Sequence, residues 1–343
     1  MADRSTPSIL LQSSPHIASP VNSKMLMRNM LIALAPVSIF GVVIFGLPAL
    51  INIVIAIVSA IAGESLFRLI IKQPVRAKDL SAGVSGLLLA LVLPPNTPYW
   101  MTALGAIFAV IVAKEFFGGL GANVFNPALI GRAFMVMSFG GALNNWPMPG
   151  QPFFKADVIT GATPLGITKI GSGISAVGKS FVEAGLSSSD SYWATMKTLF
   201  FGFNAGCIGE TSVFIMLASF LFLLVTKTID WRTPVCMIAS GFLFSLLFWQ
   251  DLGFSFYSVL SGGLVFGAVF MATDYVTSPV TGKGKILFGI GAGLITMLIR
   301  KWGSYPEGVC FSILIMNSTV PFLNKLLPKK YGFVRRKKEG IKK

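Results

Sequence analysis

Long apolar runs separated by short polar gaps dominate this chain. They fall near residues 27–46, 50–71, 81–93, 100–117, 128–142, 211–226, 233–250, 255–272, 284–299 and 307–323. A helix that crosses the hydrocarbon of a bilayer needs about 20 apolar residues, and several of these runs come near that length. The runs at 81–93 and 128–142 are shorter and rich in Gly and Ser. The pattern predicts an all-α polytopic membrane protein of about ten transmembrane helices. One polar stretch, 143–209, interrupts the alternation, and connections of such length are usually functional or disordered.

The basic residues orient the spans. With Lys24 and Arg28 on the cytoplasmic side, the even-numbered spans return there at Lys72/Arg76/Lys78, Lys114, Lys227/Arg232 and Lys283/Lys285. The opposite gaps 47–49 and 94–99 carry no Lys or Arg, as the positive-inside rule requires. Arg300-Lys301 is the exception. Both termini are therefore expected in the cytoplasm, and 143–209 outside a bacterial inner membrane.

Composition agrees. Only 12% of the 343 residues are charged and 54% are hydrophobic, with a mean hydropathy of +0.75. Soluble domains carry about 25% charged residues. The net charge of +15 does not indicate nucleic acid, because nine of the 28 Lys and Arg lie after Phe322 and many others sit in the short gaps. Cys207, Cys236 and Cys310 are far apart, and the sole histidine is His16. That set argues against a disulfide framework, a metal site or an iron–sulfur cluster held by this chain alone.

The expected organisation is a cytoplasmic arm (1–25, without the order of a signal peptide), a first five-helix repeat (26–142), the outside segment (143–209), a second five-helix repeat (210–325) and a basic cytoplasmic tail (326–343). Ser85-Gly86-Leu87-Leu88 and Ser261-Gly262-Gly263-Leu264 are each followed by a Gly-rich, proline-containing turn, 118–127 and 303–308. Five spans per half make such a repeat inverted, as in many transporter folds.

The segment that carries chemistry is Asp157-Val158-Ile159-Thr160-Gly161-Ala162-Thr163-Pro164-Leu165. It resembles the flavinylation sequence Asp-x-x-Ser/Thr-Gly-Ala-Thr of respiratory flavoproteins, in which a transferase moves FMN from FAD onto the last threonine as a phosphodiester. The resemblance makes Thr163 the acceptor, with Asp157, Thr160, Gly161 and Ala162 completing the motif and Pro164 and Leu165 following it. An acceptor must be reachable, hence a loop outside the membrane. Gly161 and Ala162 leave the backbone open to the transferase, and Pro164 fixes the chain direction beyond the attachment point. A match at five specified positions arises by chance in roughly one chain per thousand of this length.

With that motif, the likeness extends over about residues 25–325. Ser81–Leu91 with Pro94-Pro95, Gly119–Ala128, Ile208–Ser212, Met271–Asp274 and Tyr305–Gly308 are similar to the RnfD family, the D-type membrane components of Rnf complexes. These complexes are ion-translocating ferredoxin–NAD oxidoreductases, and the family is related to the B-type component of the Na⁺-translocating NADH–quinone reductase. The resemblance implies two inverted five-helix repeats similar to urea and ammonium channels, and a second, non-covalent flavin, riboflavin. It also implies partner subunits: a second flavinylated subunit, two small membrane subunits sharing an iron–sulfur cluster, and cytoplasmic iron–sulfur and NAD-binding subunits. Pro164 and the short N-terminal arm favour the Rnf family over the quinone reductase component.

Among the polar residues in or beside the spans, Glu64, Glu115, Glu210, Asp274 and Glu307 either border a functional path or sit at interfaces where water or a helix end supports them. Arg132, about one turn into the fifth span, holds a flavin phosphate or ribityl group or pairs with a carboxylate such as Glu115. Asn126 is a further candidate contact. No side chain is assigned as acid, base or nucleophile, and no metal ligand is assigned. A channel-like transporter or a structural scaffold has no use for the acceptor motif, which separates those classes from an electron carrier.

Overall fold

The computed structural model describes residues 22–75, 79–149, 160–171 and 173–325. Each apolar run coincides with helix. The first half holds α1 (Ser23–Phe45), α2 (Leu47–Ile70), α3 (Ser81–Leu91), α4 (Tyr99–Ala113) and α5 (Pro127–Leu143). The second holds α9 (Val213–Val225), α10 (Arg232–Trp249), α11 (Leu252–Leu260), α12 (Leu264–Phe266, continued as one π turn Gly267–Met271), α13 (Gly282–Trp302) and α14 (Val309–Leu323). Between them lie α6 (Pro164–Lys169), α7 (Gly173–Glu183) and α8 (Tyr192–Phe201). The chain is a multi-pass membrane protein in which, among the described residues, five helical stretches are long and apolar enough to cross a bilayer alone, with α4 continued through the turn Glu115–Phe117, or six when α11 and α12 count as one.

Sequence signals set the helix ends. Asn22, Asn126, Ser212, Asp251 and Thr281 each accept a backbone N–H of the first turn they precede, which satisfies donors a helix start leaves orphaned. α5 begins on Pro127 and α2 has Pro48 as its second residue, positions where the missing N–H costs nothing.

The two halves pack in the same order. α2 packs on α3 and α4, and α4 on α5; α10 packs on α11 and α13, and α13 on α14. α5 and α14 run antiparallel across the seam: the Cys310 thiol reaches the Leu129 carbonyl, and the Asn317 amide bridges the Asn126 N–H and the Thr277 carbonyl. Leu89, Leu129, Met135, Phe266, Phe270 and Phe288 are among the largest buried side chains of this common core.

The eighth apolar run is not one straight helix. It breaks at Ser261–Gly263 and bends by 62°, and Gly262 takes the left-handed conformation there (φ +70°) that glycine adopts without steric cost. Ser85, by contrast, lies inside the unbroken α3, so the two Ser-Gly segments do not hold equivalent places.

Both ends of the break are satisfied by charged side chains from one stretch of chain. The Arg300 guanidinium donates to the Ser258 carbonyl, the Ser258 hydroxyl (3.1 Å), the Ser261 carbonyl (3.3 Å) and, through Nε, the Glu307 carbonyl (3.1 Å). The Glu307 carboxylate accepts the Gly263 N–H at 2.9 Å. Arg300 is therefore a buried clip rather than an orienting charge, which explains why it breaks the positive-inside pattern.

A second ionic cluster joins α2 to the end of α4. Lys114 bonds Glu64 (3.0 Å) and Ser81 Oγ (2.6 Å), and Arg68 meets Glu115 at 3.1 and 3.2 Å and Glu64 at 3.6 Å. Glu64, Arg68 and Lys114 are each 1% exposed. Glu64 and Glu115 are thus internal ion-pair partners, not residues held at a water interface.

Candidate cofactor-binding site

The stretch after α5 builds a small cap. Trp146–Pro147 (β1) pairs antiparallel with Thr160–Gly161 (β2). α6, α7 and α8 then enclose their own apolar centre of Leu165, Val177, Phe181, Met196 and Leu199, closed from below by Tyr257 of α11. The end of this stretch is not surface loop. Cys207 and Ile208 are fully buried, and the N–H groups of Ile208 and Gly209 bond the carbonyls of Leu93 and Leu91. Residues 204–212 therefore belong to the core, where they bring Glu210 inside.

Thr163 stands at the junction of β2 and α6. It is the N-cap of α6, its Oγ1 accepting the Gly166 N–H at 3.1 Å, with Pro164 as the first helical residue. Pro164 thus does more than fix direction: its ring suits a helix start. Gly161 lies opposite Trp146, and a Cβ there would meet Met148 Cε at 2.5 Å, so packing beneath the turn also favours a minimal side chain. Thr160 is exposed and Ala162 is exposed more than the buried Pro164 and Leu165 that follow. Asp157 lies outside the described residues.

α6 is pinned at both ends. Leu165 sits against Gly262 at the helix break, where a Cβ on that glycine would fall 2.5 Å from Leu165 Cδ1. Lys169 Nζ donates to the carbonyls of Gly303 (2.5 Å) and Tyr305 (2.7 Å), just ahead of Glu307. The Thr163 turn is therefore fastened to the same broken-helix element that Arg300 and Glu307 cap.

Thr163 opens onto a cavity of about 400 Å³. Its walls are largely apolar, with Val136, Leu143, Trp146, Tyr305 and Phe311 prominent. Arg132, Glu210 and Glu307 line it too. Arg132 Nη2 meets Glu307 Oε2 at 2.5 Å, and Nη1 meets Glu210 Oε1 at 3.4 Å. Of the alternatives open for Arg132, the structure shows pairing with carboxylates, but with Glu307 and Glu210 rather than Glu115. Glu115 is held by Arg68, and the true partners of Arg132 lie 78 and 175 residues away in sequence.

Asn126 and Asp274 belong elsewhere. Asn126 caps α5 and donates to the Met271 carbonyl, and Asp274 accepts from the Thr277 hydroxyl at 2.9 Å. Both line a separate cavity of about 40 Å³ with Ser81, Lys114 and Asn123. That space is too small as it stands for a tricyclic ring. Among the described residues no group of three or more His, Cys, Asp or Glu is placed to hold a metal ion.

Sequence reasoning missed Arg300, Lys169 and Trp146 as parts of this site. Only Arg300 carried a signal, as the basic residue that broke the orientation pattern.

Fold and site together define a multi-pass helical membrane protein with a mostly apolar, charge-lined cavity beside Thr163 and α6. The sequence model of the NQR2, RnfD, RnfE family matches residues 10–332, and the chain belongs to this family. Among its relatives is the D subunit of a proton-translocating ferredoxin:NAD(+) oxidoreductase complex from Clostridium ljungdahlii, 40% identical, covering 94% of this chain and 96% of the relative. The D subunit of a Na(+)-translocating ferredoxin:NAD(+) oxidoreductase complex from Acetobacterium woodii is 39% identical over 97% and 98% of the two chains. The D subunit of an ion-translocating oxidoreductase complex from Escherichia fergusonii is 35% identical over 94% and 98%.

Proposed function

We propose that this chain is the flavin-carrying D-type membrane subunit of an Rnf complex that moves electrons between ferredoxin and NAD and couples them to Na⁺ or H⁺ translocation. The near-full-length likeness to subunits so named supports the role. The observation that carries the flavin is the position of Thr163, on an ordered turn opening into a cavity of about 400 Å³. That volume lies within the range of about 300–1,000 Å³ typical of small-molecule and cofactor sites.

Thr163 Oγ1 is the attachment atom for an FMN phosphodiester, built from FAD by a flavin transferase. The residues present fit the group. Apolar and aromatic walls suit an isoalloxazine, and Arg132 supplies a cation within the cavity. When bound, the flavin supplies the electron-carrying chemistry, and the protein supplies position and electrostatics. Leu165 and Lys169 hold the acceptor turn in place, while the walls limit water. Thr160, Gly161 and Ala162 present the turn to the transferase.

The wider arrangement belongs to the same proposal: ten spans in two inverted repeats, both termini cytoplasmic in a bacterial inner membrane, and the cap outside. The matching packing order of the two halves and the antiparallel α5–α14 seam support it. A non-covalent riboflavin and the neighbouring Rnf subunits complete the set. The functional test is ferredoxin-dependent NAD reduction in membranes carrying the assembled complex. A Thr163→Ala complex that assembles but loses this activity supports the reading; full activity without the threonine refutes it.

A further inference from the structure

The acidic groups beside the acceptor cavity take no part in flavin attachment. Glu210 and Glu307 both reach the Arg132 guanidinium. They converge over Gly263, where a Cβ would collide with Glu307 Oε1 and lie 2.5 Å from Glu210 Oε1. They share one guanidinium unequally. Among the described residues, Glu307 takes the 2.5 Å contact from Arg132 and the Gly263 N–H, whereas the Glu210 carboxyl takes the 3.4 Å contact from Arg132.

The other groups facing Glu210 do not change this balance. Arg300 is near enough to interact, but its donors go to carbonyl oxygens and the Ser258 hydroxyl. Cys207, on Glu210's own segment, and Cys310, on α14, are buried neutral thiols that donate to the carbonyls of Val92 and Leu129. Two buried carboxyl groups side by side do not both ionise readily when one cation serves both. Glu307 has the better support as a carboxylate, which leaves the proton with Glu210.

Exposure adds a direction. The Glu210 side chain is 7% exposed, whereas the Glu307 side chain is 18% exposed and neighbours Ser304 and Tyr305 on the cavity lining.

We propose that Glu210 is the proton-carrying residue of the cofactor cavity, giving a proton as the flavin is reduced and regaining it through Glu307. This rests on the reading of Thr163 as the flavin attachment site. In balanced form, the oxidised ring takes two electrons from the electron-transfer partners of the complex and one proton from the Glu210 carboxyl. The O–H bond of Glu210 breaks, an N–H bond forms on the ring, and Glu210 is left as a carboxylate beside Arg132. On reoxidation the two electrons leave to the next carrier, the ring N–H bond breaks and its proton goes to water at the cavity mouth, and a proton from that water reaches Glu210 through Glu307. Glu210 is a proton site and not part of the attachment, so its loss leaves flavin in place.

The test uses the assembled, flavin-loaded complex. In-gel flavin fluorescence first establishes that wild type, Glu210→Gln and Glu210→Asp all carry the covalent flavin, which separates failure of this proposal from failure of the attachment reading. The midpoint potential of that flavin is then titrated against pH, and redox-difference infrared spectra are recorded in H₂O and D₂O. Wild type is expected to lose a protonated-carboxyl band on reduction, with a deuterium shift. Glu210→Gln is expected to lack the band and to show a shallower dependence of potential on pH, with Glu210→Asp retaining both. A Glu210→Gln complex with the wild-type slope and band overturns the proposal. So does a wild-type spectrum without any carboxyl band, a result that needs no variant to fold.

Discussion

Leu165 rests against Gly262, and this contact joins the acceptor turn to the broken helix of the second half. Two residues before Leu165 is the candidate attachment atom; one residue after Gly262 is the N–H held by Glu307. A change on either side is therefore felt on the other. Gly262→Ala places a Cβ 2.5 Å from Leu165 Cδ1 and forces a left-handed alanine, a backbone penalty of about 1–3 kcal/mol. The expected outcome is a lower thermal midpoint in detergent and a reduced flavin-to-protein ratio. Gly161→Ala meets only the flexible Met148 side chain and should reduce loading less.

Arg300 closes the carbonyl end of the same break. Arg300→Met leaves the Ser258 and Ser261 carbonyls without their donor, at about 1–3 kcal/mol for each buried group left unsatisfied. Arg300→Lys recovers little, because a single ammonium does not reproduce the guanidinium fork. Thermal unfolding of the purified complex should rank wild type above Lys and Lys at or above Met. A wild-type midpoint for Arg300→Met would contradict the clip.

The Arg132–Glu307 pair should behave as a coupled unit. Removing Arg132 alone leaves two carboxyl groups without their cation, a loss on the order of 3–5 kcal/mol for a fully buried pair and less here because Glu307 is partly exposed. The Arg132→Met, Glu307→Gln double variant should be more stable than Arg132→Met. A double-variant cycle on thermal stability measures the coupling, and simple additivity would count against the pair.

The cluster of Glu64, Arg68, Lys114 and Glu115, outside the lining of the Thr163 cavity, makes the same kind of forecast. Lys114→Met strands Glu64 with the longer Arg68 contact at 3.6 Å, so the expected loss exceeds that of the Glu64→Gln, Lys114→Met pair. Flavin loading at Thr163 should be unchanged in both, which distinguishes this structural cluster from the site.

Helix positions were legible because hydropathy is a local signal. The run at 284–299 lies within Gly282–Trp302, and the run at 27–46 overlaps Ser23–Phe45 almost entirely. The break at Ser261–Gly263 was hidden, since Gly-Gly within apolar neighbours leaves the run continuous. Residues 204–209 read as outside loop because Asn204, Gly206 and Gly209 are turn formers. Their burial depends on carbonyls of Leu91 and Leu93, more than 100 residues away. Thr163 was singled out as a candidate by a contiguous motif, but the partners of Arg132 were not legible, for the same reason of distance along the chain. Glu64 and Arg68, four residues apart on one helix face, did carry a local pairing signal.

Whether Thr163 carries a covalent flavin is decided by intact-protein and peptide mass spectrometry, combined with ultraviolet fluorescence of the denatured gel band. Wild type and Thr163→Ala are compared, both made in cells with an active flavin transferase. Wild type is expected to give a fluorescent band with one FMN phosphoester in the 157–165 segment, and the variant to be dark and unmodified. An unmodified wild-type segment in that background, or a flavin that persists in Thr163→Ala, would contradict the attachment.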